Sequence, residues 1–205
     1  MEHPRQLSET GLPLNKASKA LMMIHGRGAS ARDILSLQNE FPLDEFYIVA
    51  PQAGSGSWYP FSFMTPIHQN EPWLSDALDL LSSIVEDINK AGILSERIYL
   101  LGFSQGACLT LEFATRHAQK WGGIIAFTGG LIGERIYNEN YKGDFQGTKV
   151  FIGNSDRDPH VPLTRTEESS RVMKNMGANV TLKIYPNMPH TINEDEIEMV
   201  NEIFF

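Results

Sequence analysis

Cysteine, long apolar runs and secretory features are all scarce in this sequence. The one cysteine among 205 residues, Cys108, cannot form a disulfide within the chain, which argues against a disulfide-stabilised secreted domain. The apolar runs are short, as at residues 20–24, whereas a membrane helix needs about 18 apolar residues. The first 19 residues contain no apolar segment of the kind that signals secretion. We therefore expect a cytoplasmic protein without stable membrane association.

Positive charge is also in short supply. The chain has 17 Lys and Arg against 25 Asp and Glu, a net charge of −8, and no run of basic residues. Nucleic acids and anionic membrane surfaces attract clustered positive charge, so they are disfavoured as main partners. The six histidines show no His-Glu-x-x-His or similar ligand spacing. We expect no metal and no cofactor.

Short apolar runs alternate with helical patterns along the whole chain. Most of the runs lack regular alternation, which is typical of strands buried on both faces. The six runs are 20–25, 46–50, 97–103, 122–127, 148–153 and 180–185. The helical patterns begin near Ala31, near Leu74, just after Ser104, near Leu163 and near Asn193.

This alternation predicts βαβ units and therefore a mostly parallel, twisted sheet with helices on both faces. The first 14 residues are expected to add an antiparallel edge strand, which Pro13 limits. No linker composition divides the chain, so we predict one α/β domain over residues 1–205. A sheet of six or seven strands leaves no room for a large lid domain.

A candidate nucleophile lies in the segment 102–106, which reads Gly-Phe-Ser-Gln-Gly. An apolar run precedes Ser104 and a helical pattern follows it, which is the strand–turn–helix context of a nucleophile elbow. Flanking glycines allow a tight turn that holds a serine in a strained conformation. The alternative is a glycine-rich turn with a bystander serine, which this context disfavours.

A nucleophilic serine needs a base and an orienting carboxylate, and in this type of fold the order is Ser, Asp or Glu, His. His190 follows the last predicted strand, at the edge where ligands bind in parallel sheets, and is favoured over His160 as the base. Two carboxylates compete for the third position. Asp156 and Asp158 share the loop after the strand at 148–153, and the residues alone leave the choice between them nearly open.

The oxyanion hole of such a site needs two backbone N–H groups. Gln105 follows the serine and supplies one. Arg27, in the glycine-bounded loop after the first predicted parallel strand, is the candidate for the other. His25 in the same loop is expected to be a buried structural residue, and Cys108 a small core residue rather than a reactive thiol.

A long segment without periodicity, residues 52–72, is rich in aromatic side chains. We expect these aromatics to wall the substrate pocket, with a second wall at residues 129–132. The predicted pocket residues are Trp58, Tyr59, Phe61, Phe63 and Leu131. The alternative is a satellite core beneath the loop.

Together, these segments resemble the phospholipase/carboxylesterase family of α/β hydrolases, which includes small bacterial carboxylesterases and acyl-protein thioesterases. The resemblance rests on residues 24–28, 102–106 and 158–162 and on His190, in that order. It implies a single-domain α/β hydrolase fold with Ser104 as nucleophile, Asp158 rather than Asp156 as acid, and His190 as base. Two positions depart from the family pattern: Arg27 replaces a frequent Leu, and Pro189 stands where Gly usually precedes the histidine.

The resulting hypothesis is a serine hydrolase that cleaves carboxylic esters of short to medium acyl or aryl groups through an acyl-enzyme. Acyl thioesterase and lysophospholipase activity are the rivals with the same machinery. The rival from another class is a catalytically silent binding protein of the same fold. The expected partner is a small-molecule ester. The sequence does not determine the oligomeric state, and a homodimer is one of the options.

Overall fold

Seven strands form one sheet in the computed structural model, which describes residues 3–205. The strands are β1 (Leu7–Gly11), β2 (Lys19–Ile24), β3 (Phe46–Pro51), β4 (Ile98–Phe103), β5 (Gly123–Phe127), β6 (Lys149–Ser155) and β7 (Asn179–Tyr185). The helices are α1 (Ala31–Leu35), α2 (Trp73–Lys90), α3 (Gln105–Arg116), α4 (Leu163–Asn175) and α5 (Glu194–Phe204). The six predicted parallel strands are observed with ends shifted by no more than two residues.

The order of the strands across the sheet is β1-β3-β2-β4-β5-β6-β7. All neighbours are parallel except β1, which pairs antiparallel with β3 and places Leu7 opposite Pro51. Pro13 comes two residues after β1 ends, so its missing N–H does not interrupt the pairing. The predicted antiparallel edge strand is confirmed.

Helices cover both faces of the sheet. Successive side chains of a buried strand point to opposite faces and therefore enter two separate cores. From β2, Met22 and Ile24 pack in the core beneath α2 and α3, whereas Leu21 and Met23 pack in the core beneath α1 and α5. The apolar stripe of α2 is buried, as its spacing predicts.

The parallel arrangement brings the carboxyl ends of β2, β4, β6 and β7 to one edge of the sheet. The segments that follow these strands are 25–30, the turn at Ser104, 156–162 and 186–193. These are the segments in which the sequence places the candidate site. In the described residues, no helix is long and apolar enough to cross a membrane.

Candidate active site

Ser104 lies on a sharp turn between β4 and α3, with φ 55° and ψ −119°. This backbone conformation is strained for a residue that carries a side chain. The glycines make the turn possible: a Cβ on Gly106 would overlap the carbonyl oxygen of Ile24, and a Cβ on Gly102 would overlap that of Gly106. The turn presents the half-buried Ser104 side chain to a cavity at the amino end of α3.

Ser104, His190 and Asp158 form a continuous hydrogen-bonded chain. The Ser104 Oγ lies 2.8 Å from Nε2 of His190, and the Nδ1 of His190 lies 2.7 Å from Oδ2 of Asp158. A carboxylate only accepts hydrogen bonds, so Nδ1 carries the proton and Nε2 is free to accept from the serine hydroxyl. The histidine is therefore held in the tautomer that can remove a proton from Ser104.

The Asp158 carboxylate is completely buried as a side chain and accepts three hydrogen bonds. Its Oδ1 accepts from the backbone N–H groups of His160 and Val161, both at 2.8 Å, while Oδ2 faces His190. Burial by itself raises the pKa of Asp158, but the hydrogen bonds from His190, Val161 and His160 outweigh it and hold the pKa below its usual value. The group is ionised at neutral pH.

The competing carboxylate, Asp156, has a different environment. It is exposed, and its Oδ1 accepts a hydrogen bond of 2.7 Å from the backbone N–H of Asn187. Asn187 lies in the turn that leads to His190, so Asp156 anchors the histidine loop, while the imidazole is hydrogen-bonded to Asp158. The structure thus brings Asp158, rather than Asp156, to the histidine.

The other histidines after Ser104 lie outside the chain of hydrogen bonds. His160 is exposed and stands edge-on to the ring of His190, with ring centroids 4.8 Å apart and an angle of 76° between the planes. His117 directly follows α3, and its ring donates to the carbonyl oxygen of Phe113 at 3.1 Å. Neither ring lies between a carboxylate and Ser104.

Two segments with backbone N–H groups border Ser104. Gln105 begins α3 directly after the serine, and the first N–H groups of a helix have no partner within it. On the other side, the loop after β2 packs against the serine, since a Cβ on Gly26 would lie 3.4 Å from the Ser104 Cβ. Arg27 follows in that loop and, like Gln105, lines the same cavity as Ser104.

His25 is a buried structural histidine. Its Nδ1–H donates to the carbonyl oxygen of Gly26 at 2.7 Å, and its Nε2 accepts from the backbone N–H of Ala53 at 3.1 Å. Burial lowers the pKa of His25, so the ring is neutral and joins the loop after β2 to the segment after β3.

The cavity beside Ser104 has a volume of about 470 Å³. Three of the predicted pocket aromatics line it: Tyr59, Phe61 and Phe63. The histidine side is formed by His160, Val161 and His190, and Cys108 contributes from α3. The sequence prediction did not include Val161 and Cys108. Their positions, three residues after Asp158 and one helical turn after Ser104, are the signals that could have pointed to them.

Two predicted pocket residues, Trp58 and Leu131, do not line the cavity, and the prediction is wrong for them. Both are fully buried. Trp58 points inward because its indole N–H donates to the carbonyl oxygen of His25 at 2.8 Å. Leu131 is held by a hydrogen bond of 2.8 Å from its backbone N–H to Oγ of Ser169. The alternative of a satellite core therefore applies to part of the aromatic segment.

Cys108 reaches the cavity as a thiol. Burial raises its pKa to about 12, so the thiolate is not populated at neutral pH. Its side chain is buried and small, as the sequence predicts, and it also lines the cavity.

The mostly parallel sheet and the strained serine turn between β4 and α3 define an α/β hydrolase. The chain belongs to the phospholipase/carboxylesterase family, whose pattern it matches over residues 7–204. The crystal structure of a phospholipase/carboxylesterase from Dyadobacter fermentans DSM 18053 superimposes on it with a TM-score of 0.98 and 52% identity. That match covers 100% of this chain and 98% of the other.

Curated relatives are more distant. Acyl-protein thioesterase 1 of Gibberella zeae is 30% identical over 120 residues, which is 58% of this chain and 51% of the fungal protein. Lysophospholipase-like protein 1 of Mus musculus is 23% identical over 204 residues, covering 91% of this chain and 85% of the mouse protein. The chain spans about half the length of the acyl-protein thioesterases that it matches.

Proposed function

We propose that this protein is a serine esterase that hydrolyses small carboxylic esters with short to medium acyl or aryl groups. The observation that carries the proposal is the Ser104–His190–Asp158 chain of hydrogen bonds, 2.8 and 2.7 Å long, at the edge of a cavity large enough for a small ester. Membership of the phospholipase/carboxylesterase family supports the same chemistry. No step of the mechanism uses a metal or a cofactor.

In the first half-reaction, Oγ of Ser104 attacks the ester carbonyl carbon while Nε2 of His190 takes the hydroxyl proton. The carbonyl oxygen becomes an oxyanion that accepts hydrogen bonds from the backbone N–H groups of Arg27 and Gln105. The buried Asp158 carboxylate stabilises the imidazolium through Nδ1–H. His190 then gives the proton to the departing alcohol, which leaves an acyl group on Ser104.

In the second half-reaction, His190 removes a proton from water, and the resulting hydroxide attacks the acyl carbonyl carbon. The bond to Oγ breaks, the carboxylic acid is released, and the proton on His190 returns to Ser104. The acyl group lies against Tyr59, Phe61 and Phe63, where each buried methylene contributes about 0.8 kcal/mol until the cavity is full.

The decisive test is reaction with a fluorophosphonate probe, followed by peptide mapping, with p-nitrophenyl butyrate hydrolysis measured in parallel. The wild-type chain is expected to label on Ser104 and to hydrolyse the ester. Ser104→Ala should fold normally, lose labelling and lower kcat by about 10³-fold or more. Ser62→Ala removes another serine of the cavity lining and should still label.

If purified Ser104→Ala keeps its esterase activity, the proposal is wrong. A wild-type chain that binds esters, does not label and does not turn them over indicates the catalytically silent binding protein instead.

Thioester hydrolysis is the second candidate, because relatives named acyl-protein thioesterase 1 are about 30% identical to this chain. The same serine and histidine can attack a thioester, whose leaving group is a thiol. The values of kcat/KM for matched butyryl and octanoyl esters and thioesters separate the two activities. A lysophospholipid, assayed as a further substrate, tests the lysophospholipase alternative. Because aromatic side chains wall the cavity, we expect butyryl substrates to be preferred over octanoyl ones in both series.

A further inference from the structure

The side chain of Arg27 contacts the pocket wall. From the loop after β2, its guanidinium reaches the segment after β3 and donates to three consecutive carbonyl groups. Nη1 donates to the oxygen of Pro60 at 2.9 Å, and Nη2 donates to those of Tyr59 and Phe61 at 2.9 and 2.7 Å. Three carbonyls in a row are thus held by one side chain.

Gln105 also holds this segment, from the first residue of α3. Its Nε2 donates to the carbonyl oxygen of Tyr59 at 2.9 Å, and its Oε1 accepts from the backbone N–H of Trp58 at 3.0 Å. The two residues whose backbone N–H groups we place in the oxyanion hole are therefore the two whose side chains hold the aromatic wall. The position of the wall is coupled to the position of the hole.

The segment 59–61 depends on such side-chain contacts because it belongs to no helix or strand. Tyr59 is buried, but Pro60 and Phe61 are exposed, and 52% of Phe61 is accessible to solvent. The Phe61 N–H has a partner in Oδ1 of Asn70, 2.9 Å away. Arg27 holds the other side of the backbone, where the carbonyl groups point.

The chemistry of the guanidinium suits this task. Hydrogen bonds from a charged donor are stronger than those between neutral groups, and the planar fork of arginine can hold several acceptors at fixed angles. Within residues 3–205, Arg27 makes no ion pair with a carboxylate. Its hydrogen bonds to residues 59–61 are instead made to neutral backbone carbonyl groups. A lysine at this position would keep the positive charge but could not bind three carbonyl groups at fixed angles.

We propose that Arg27 is a positioning residue whose side chain sets the width of the acyl pocket by holding residues 59–61. This inference rests on the proposed esterase function. Release of the wall widens the cavity at Phe61, and longer acyl groups then find room. Each additional methylene that is accommodated is worth a factor of about four in kcat/KM.

The test is a series of p-nitrophenyl esters from acetyl to dodecanoyl, with kcat and KM measured separately for wild type, Arg27→Leu and Arg27→Lys. Both variants are expected to raise the octanoyl-to-butyryl ratio of kcat/KM by about fourfold or more. Arg32→Leu removes an exposed arginine of α1 outside the cavity lining and should keep the wild-type ratio.

An unchanged ratio in Arg27→Leu overturns the proposal. So does a wild-type ratio in Arg27→Lys combined with a shifted ratio in Arg27→Leu, because the charge alone would then be responsible.

Hydrogen exchange provides a readout that does not depend on activity. The backbone N–H of Phe61 lies in the wall and is hydrogen-bonded to Oδ1 of Asn70, and it should exchange at least about tenfold faster in Arg27→Leu than in wild type. Equal exchange rates refute the role of Arg27 in holding the wall. If wild type is inactive on all esters but this acceleration is observed, the proposed function fails and the structural role of Arg27 stands.

Discussion

Replacement of Asp158 by Asn tests the site most sharply, because the structure dictates how the amide must be oriented. The Oδ1 position of Asp158 accepts two backbone N–H groups at 2.8 Å, from His160 and Val161. An Asn must keep its oxygen there, since its NH2 group would otherwise face two donors. The NH2 group is consequently turned toward Nδ1 of His190, where Oδ2 lies 2.7 Å away in the wild type.

His190 then has to accept at Nδ1 and carry its proton on Nε2, which faces Oγ of Ser104. In that tautomer the ring cannot take the serine proton. The productive tautomer would place two N–H donors against each other in a buried position and would lose a charge-assisted hydrogen bond. We estimate the combined cost at about 3–5 kcal/mol, which lowers kcat by about 10²- to 10⁴-fold at 1.36 kcal/mol per factor of ten.

The assay is kcat on p-nitrophenyl butyrate at neutral pH, corrected for the fraction of folded protein. Asp156→Asn is the matched control in the same loop. Its amide oxygen can still accept the single hydrogen bond from Asn187, so the loss should stay below about tenfold. The reasoning is refuted if Asp158→Asn keeps more than about a tenth of the wild-type kcat, or if the two variants lose activity equally.

Three further predictions concern the pocket wall, the turn and the pH dependence of stability. Phe61→Ala should shift the acyl-length optimum with little change in Tm, whereas Trp58→Ala should lower the free energy of unfolding by about 3–5 kcal/mol; equal losses of Tm would contradict this. Gly106→Ala should cost about 2 kcal/mol or more in urea unfolding, because the new Cβ overlaps a β2 carbonyl, and a wild-type midpoint would show that reasoning to be wrong. Burial raises the pKa of Glu196 from 4.5 to about 7, so the native state favours the protonated carboxyl. The free energy of unfolding should therefore fall by up to about 3 kcal/mol as the pH rises from about 4.5 to about 7. Glu196→Gln should flatten this part of the stability profile, and an unchanged slope in urea midpoints between pH 5 and pH 8 would refute the assignment.

Much of the fold follows from short-range patterns in the sequence. Buried strands need apolar runs, and a helix that packs on a sheet needs an apolar stripe, so both leave a signal within a few residues. The turn at Ser104 also leaves a local signal, because Gly102 must lack a side chain for β4 to pass close to Gly106 of α3. Gly106 in turn lets α3 approach the carbonyl of Ile24 in β2. The order of these elements then allows one mostly parallel sheet whose carboxyl edge collects the candidate residues.

The loops were decided by tertiary structure. Asp156 and Asp158 are two residues apart and have similar local chemistry. Only the packing of the loop at 186–193 decides that Asp156 binds the backbone N–H of Asn187 and that Asp158 binds the ring of His190. In the aromatic segment, Trp58 turns into the core and Phe61 turns outward, although neither position carries a periodic signal. Their directions depend on partners distant in sequence, such as the carbonyl group of His25 and the guanidinium of Arg27, and contacts of that range leave no local pattern to interpret.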